Sequence, residues 1–241
     1  MLTTVAAGRV FDYNYCIGMY GMSGQGFWSP QDFVFGPGDL IYVISRGVEE
    51  IGQRITRVTR DHEFLGQFGA SGRGDGQFVW PRSIDLDSEG NVFASDDFLH
   101  RISVFDKDGA FLSSWGTRGS KEGELDGPSG IAFDGDDNIF VVDSANNRIQ
   151  KFTKEGSFIG SFGQEGQGEG ELNLPWGICV GPDGGVYVAD WRNNRVQKFD
   201  SEGRFQVMFQ GTETGVGDLH GPTGIAVDSE GDVYVTDWGN H

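Results

Sequence analysis

Four prolines, Pro81, Pro128, Pro175 and Pro222, follow one another at steps of 47 residues, and this spacing limits the possible folds more than any other feature of the chain. Asp96, Asp143, Asp190 and Asp237 keep the same step. So do Arg101, Arg148 and Arg195, and so do Phe105, Phe152 and Phe199. Several independent markers sharing one period mean a structural unit copied along the chain.

The unit from Pro128 to Gly163 shows what is copied. It holds four short apolar or alternating runs, Gly130–Phe133, Ile139–Val142, Arg148–Phe152 and Phe158–Phe162, rich in Val, Ile and Phe, as strands are. Asp134–Asn138 and Lys154–Gly156 separate them with Asp, Asn and Gly, the residues of tight turns. Nothing keeps helical apolar spacing across a unit. The 40 glycines and 13% aromatic residues suit many short strands joined by turns around an apolar core. Four antiparallel strands in 47 residues predict an all-β fold, a β-propeller of four-stranded blades, in which each blade must bury its faces against its neighbours.

Pro-x-Gly-Ile-Ala, then Val-Tyr-Val-x-Asp or a close variant, then Asn-Asn-Arg-Ile/Val-Gln-Lys-Phe resembles the NHL repeat. It stands as Pro128–Phe152 and Pro175–Phe199, with its first half in Pro222–Asn240. Pro81–Phe105 is a weaker copy, with Phe98-Leu99-His100 in place of the Asn pair, and Ser29–Gly69 is divergent. The step from Pro30 to Pro81 is 51, which places an insertion of four residues near Gly47–Gln53. The resemblance implies a single propeller domain over residues 1–241, with repeats at about 22–69, 70–116, 117–163, 164–211 and 212–241. Arg9–Gly21 reads as a second half-blade, because Cys16–Gly21 mirrors Phe158–Gly163. Pairing it with 222–241 would close a ring of five blades and hide two strand edges. The alternative is a six-bladed ring lacking one repeat, favoured slightly by a stop at His241 where the pattern calls for another Arg.

The formal charge of −18 argues against nucleic acid and anionic membranes as partners, since both are held by Lys and Arg. The charge is uneven. Residues 1–82 hold seven Arg and no Lys against eight acids, so the remainder carries −17. Cys16 and Cys179 form neither a metal pattern nor a disulfide framework and read as small buried hydrophobes. No signal peptide or membrane-spanning run is visible, which makes the cytoplasm the default location.

The Asp-x-x-Asn-Asn-Arg corners are the first candidate site: Asp143, Asn147 and Arg148, then Asp190, Asn194 and Arg195. A catalytic site rarely recurs around a ring, so these read as structural, with Asp capping backbone N–H groups and Arg pairing with it bidentately. The acidic turns Asp87–Asn91, Asp134–Asn138 and Asp228–Asp232 lack the Gly and Glu of a calcium loop and read as hairpins. The resemblance also raises metal-dependent propeller enzymes, amidating lyases and lactonases. That chemistry needs inward ligands on several blades, yet the positions after each Pro are Gln31-Asp32, Arg82-Ser83, Ser129-Gly130, Trp176-Gly177 and Thr223-Gly224, and none of His62, His100, His220 or His241 is among them. No cofactor or metal is therefore expected. The slots that vary between blades are different. Trp80, Arg82, Phe98, Trp176, Trp191, Arg192 and Trp238 fall on loops of one rim, and exposed aromatics with Arg are the usual anchors of binding surfaces. The expected function is a non-catalytic binding or scaffold propeller for a protein segment or small ligand, and the metal-dependent enzyme is the alternative.

Overall fold

A computed structural model describes residues 3–6, 9–12, 16–17, 19–20, 26–48, 52–211 and 217–240. Four of its sheets have four antiparallel strands in sequence order. The first blade is Pro30–Phe35, Leu40–Ser45, Arg54–Thr59 and Phe64–Phe68, and the second is Pro81–Leu86, Val92–Asp96, Arg101–Phe105 and Phe111–Trp115. The third is Pro128–Phe133, Asn138–Asp143, Arg148–Thr153 and Phe158–Phe162, and the fourth is Ile178–Val180, Val186–Asp190, Arg195–Phe199 and Phe205–Phe209. Pro222–Val227 and Val233–Asp237 form a two-stranded fifth sheet. Strands run one or two residues past the apolar runs because the ladder needs only backbone groups. Pro128, for example, pairs with Asp143 across an irregularity before Ile131.

The core lies between blades rather than within them. One apolar cluster joins Tyr42 and Ile44 of the first blade to Ile84 and Phe105 of the second. Others join the second to the third through Phe93 and Val141, and the third to the fourth through Phe140 and Val188. Each sheet is thus apolar on both faces, which only stacking can cover. The far face of the first blade is covered in part by Ile17 and Phe27, which pack on Ile41, Val43 and Val58. Phe33 and Phe35 there are 56% and 54% exposed, beside a cleft of about 570 Å³ lined by Ile17, Phe27 and Val43.

The expected N-terminal half-blade, Arg9–Gly21, is described only at residues 9–12, 16–17 and 19–20. Arg9–Asp12 pairs with Thr3–Ala6 as a hairpin, and the two strands of the fifth sheet pair only with each other among the described residues. The mirror also shifts by three residues. Tyr20 pairs in parallel with Phe27 as Ser71 does with Phe78, so Tyr20 stands where Ser71 stands. Gly18, Gly21 and residues 49–51 of the insertion lie outside the described residues. Cys16 is exposed, in the stretch ahead of the first blade, whereas Cys179 is half-buried, and burial pushes its thiol up to about 12.

The Gly of the Pro-x-Gly motif has a specific cause. First strands converge on the axis, and a Cβ at Gly177 would lie 2.3 Å from the carbonyl oxygen of Thr223. At Gly130 it would lie 2.6 Å from the Trp176 carbonyl, which instead accepts the Gly130 N–H at 2.8 Å. Blades one and two carry Asp32 and Ser83 in this slot and use them. The Ser83 hydroxyl donates to Asp32 at 2.6 Å and accepts the Ile131 N–H at 3.3 Å. Gly177→Ala is expected to cost about 1–3 kcal/mol by overpacking, read as a lowered urea midpoint, and an unchanged midpoint would contradict this close approach.

Candidate functional site

The recurring Asp builds one rim. Its carboxylate accepts the backbone N–H of the residue 17 positions earlier, in the loop leading into its own blade. The pairs are Asp96 with Val79, Asp143 with Asp126, Asp190 with Asn173 and Asp237 with His220, each at 2.7 Å. This tie places the lead-in loop beside the corner between strands two and three. The second Asn of the corner then reaches the next blade. Asn147 accepts the Leu174 N–H at 2.7 Å and Asn194 accepts the Gly221 N–H at 2.9 Å. Both Asn adopt left-handed backbone, at φ 55° and 52°, which Asn tolerates better than most residues. His100 takes the same place in the weaker copy, at φ 52°, and its Nδ1 accepts the Gly127 N–H at 3.2 Å.

The expected bidentate Arg–Asp pair is corrected. Only Nε of Arg195 meets Asp190, at 2.7 Å, while Nη1 and Nη2 donate to the carbonyls of Gln167, Gly168 and Glu171. Arg148 likewise gives Nε to Asp143 and Nη2 to Lys121 and Glu124. The carboxylate is already filled by a backbone N–H and by Asn and Gln side chains, so one oxygen edge remains for the guanidinium. Burial pushes the Asp143 carboxyl up, and its hydrogen bonds, led by the Asp126 N–H, push it down.

On this rim the varying residues meet in pairs. Trp80 of a lead-in loop and Phe98 of the corner touch edge to face, with ring centroids 5.7 Å apart, and Trp176 and Trp191 do the same at 5.4 Å. Arginines stack on all four rings: Arg46 on Trp80 at 4.6 Å, and Arg73 on Phe98, Arg82 on Trp176 and Arg192 on Trp191 at 4.7 Å. Arg82 also places Nε and Nη2 on one oxygen of Asp97, at 3.0 and 2.7 Å. Trp238 is apart from these pairs and 70% exposed. Sequence reasoning missed Arg46 and Arg73. The seven Arg in residues 1–82 were the available signal, but Arg46 lies in the divergent first repeat and Arg73 in the loop that follows it, where the repeat pattern assigns no position on the rim.

Asp32, Arg82, Ser83, Ser129, Gly130, Trp176, Gly177, Thr223 and Gly224 line one axial cavity of about 140 Å³. Its one carboxylate, Asp32, is committed to the Ser83 hydroxyl and the Ile84 N–H, and no imidazole or thiol lines the cavity. Among the described residues no three His, Cys, Asp or Glu side chains are placed to share a metal. Zinc takes imidazole, thiolate and carboxylate ligands, usually three or four together, and this lining supplies one carboxylate. Asp134 spends its carboxylate on its own turn, accepting the N–H groups of Asp136 and Asn138.

Half-buried Asp85 lies between the second and third blades and accepts the N–H groups of Leu86 and Phe133 at 2.9 Å. Burial raises its pKa to about 6 against these hydrogen bonds, and Asp32 adds to the rise. The folded state therefore holds this proton more tightly than the unfolded chain does. The resulting stability is complete below the unfolded value of 3.8 and is lost as pH rises through about 6. Asp85→Asn is expected to remove about 1–2 kcal/mol of pH-dependent stability over that window. Equal pH slopes in urea titrations of the two proteins would contradict it.

The fold and this rim define a β-propeller. Residues 125–152, 172–199 and 219–241 match the NHL repeat, so three of the units are NHL repeats. No curated protein matches the sequence. Among solved structures, the chain is similar to selenomethionine-substituted virginiamycin B lyase from Staphylococcus aureus, at 14% identity and TM-score 0.62, over 87% of this chain and 63% of the lyase. It is also similar to the nidogen/laminin complex, at 20% identity and TM-score 0.65, over 90% of this chain and 75% of the other. A third is a gluconolactonase from Xanthomonas campestris, at 17% identity and TM-score 0.57, over 82% of this chain and 65% of the enzyme. The chain thus spans under two thirds of the length of the lyase and of the gluconolactonase. At these identities the likeness is one of fold, which enzymes and a protein–protein complex share. No helix among the described residues is long and apolar enough to cross a membrane.

Proposed function

We propose that this propeller is a non-catalytic binding module whose loop rim engages a protein segment or small ligand. The observation that carries the reading is the pair of aromatic contacts, Trp80/Phe98 and Trp176/Trp191, each flanked by stacked arginines on loops tied to the blade corners. Aromatic and arginine side chains held in place before binding lose little entropy on contact and dominate the energy of most interfaces. The axial cavity, at about 140 Å³ with one committed carboxylate, offers little for the lyase or lactonase alternative.

The test is affinity capture by the wild-type chain and by a Trp80→Ala/Phe98→Ala variant, with captured molecules identified by mass spectrometry and rebound in purified form. Ligands retained by the wild type and lost by the folded variant support the reading. Ligands retained equally by both would overturn it for this part of the rim.

A further inference from the structure

We propose that the cleft between the first and second blades binds an extended acidic polypeptide segment, with carboxylates on Arg46 and Arg73 and an apolar side chain between them on Trp80 and Phe98. This rests on the binding-face reading above and names the partner's chemistry. The cleft has a volume of about 660 Å³ and is lined by Arg46, Arg73, Trp80 and Phe98 together with Gly47, Val48 and Gln53. That is ample for several residues of peptide and large for a lone carboxylate.

Charge complementarity selects the occupant. The chain carries −18, and most of its described guanidinium groups are satisfied by carboxylates or carbonyls. Arg46 and Arg73, like Arg192, differ: among the described residues none of them has a carboxylate within ion-pair distance, and each guanidinium carbon lies over an aromatic ring at 4.6 to 4.7 Å. Burial pushes the Arg46 guanidinium below its ordinary value, neighbouring Arg82 adds to the push, and Asp97 opposes it. An incoming carboxylate would relieve that cost and complete the in-plane hydrogen bonds that stacking leaves open. Trp80 and Phe98 touch edge to face, and each carries its own guanidinium, so two cationic groups are held on two adjoining aromatic rings. Two acidic residues flanking an apolar one match this order, and a single small anion does not.

The test uses fluorescein-labelled octapeptides of alternating Glu and Leu, or Gln and Leu, titrated with the full chain by fluorescence anisotropy. The glutamate peptide is expected to bind about tenfold more tightly at low salt, with the preference shrinking as salt is added. Arg46→Ala and Arg73→Ala should each weaken it about three- to tenfold, and the double variant should erase the preference. Arg73→Lys, which keeps the charge and loses the planar stack, should fall between. Arg204→Ala, on an exposed hairpin where Arg204 pairs with Asp200, should change nothing. Thermal unfolding identifies any variant that fails to fold, and in that case Arg73→Lys carries the comparison. Equal affinity for both peptides, or a preference that survives the double variant, overturns the acidic occupant. If that equal binding is still lost in Trp80→Ala, the broader binding-face reading stands. Displacement of the peptide by an equal concentration of free glutarate overturns it in favour of a small dicarboxylate.

Discussion

Asp190→Ala is expected to lower stability by about 3–5 kcal/mol, the cost of leaving a buried charge without its partner. Arg195 is only 2% exposed, and its Nε rests on Asp190 at 2.7 Å. Its other donors reach neutral carbonyls and the Met208 sulfur, so Asp190 is the carboxylate in direct ion-pair contact with it. The same carboxylate accepts the Asn173 N–H and the side chains of Asn193 and Gln197, all of which lose an acceptor. A domain stable by about 5–15 kcal/mol would lose a large part of its margin. The urea midpoint measures the effect. Asp190→Asn keeps one acceptor without the charge and should fall between wild type and alanine. A loss under about 1 kcal/mol for the alanine variant would mean that water or relaxation compensates Arg195, contrary to its burial. Because the Asn173 tie fixes the loop leading to Trp176, the weakened protein should also show altered Trp fluorescence from the Trp176/Trp191 contact.

The second large effect concerns binding. Trp80 and Phe98 are 42% and 38% exposed and stand on backbone held by Asp96, which accepts the N–H groups of both residues. Truncating either ring should cost about 2 kcal/mol or more of binding, roughly a thirtyfold loss of affinity. The stability cost should stay within about 1 kcal/mol, as for surface changes away from the core. The two losses should not add, since the rings touch each other. Isothermal titration with a captured ligand and thermal unfolding of the same samples separate the two outcomes. A variant that binds normally but melts much earlier would show that these rings seal the gap between blades. Trp176→Ala and Trp191→Ala discriminate less well. Both rings are half-buried, and the carbonyl of Trp176 already serves the neighbouring blade through Gly130.

What the sequence determined by itself is the unit: its length, its four strands, its turns and the identity of its recurring side chains. These are local properties, since strand alternation, turn chemistry and a 47-residue period act within one repeat and need no knowledge of its neighbours. The slots of the rim could be placed for the same reason, because Trp80 and Trp176 stand directly beside the recurring Pro, and Phe98 and Trp191 stand within two residues of the recurring Asp. Only the tertiary structure decided which of them touch. It brought Arg46 onto Trp80 across a blade boundary and Arg73 of the lead-in loop onto Phe98, gave Arg195 one contact with Asp190 rather than two, and paired Arg9–Asp12 with Thr3–Ala6. The Arg46 contact depends on how the first two blades stack, and the Arg195 contact on competition among several donors for one acceptor. Such distances arise only when the blades stand side by side.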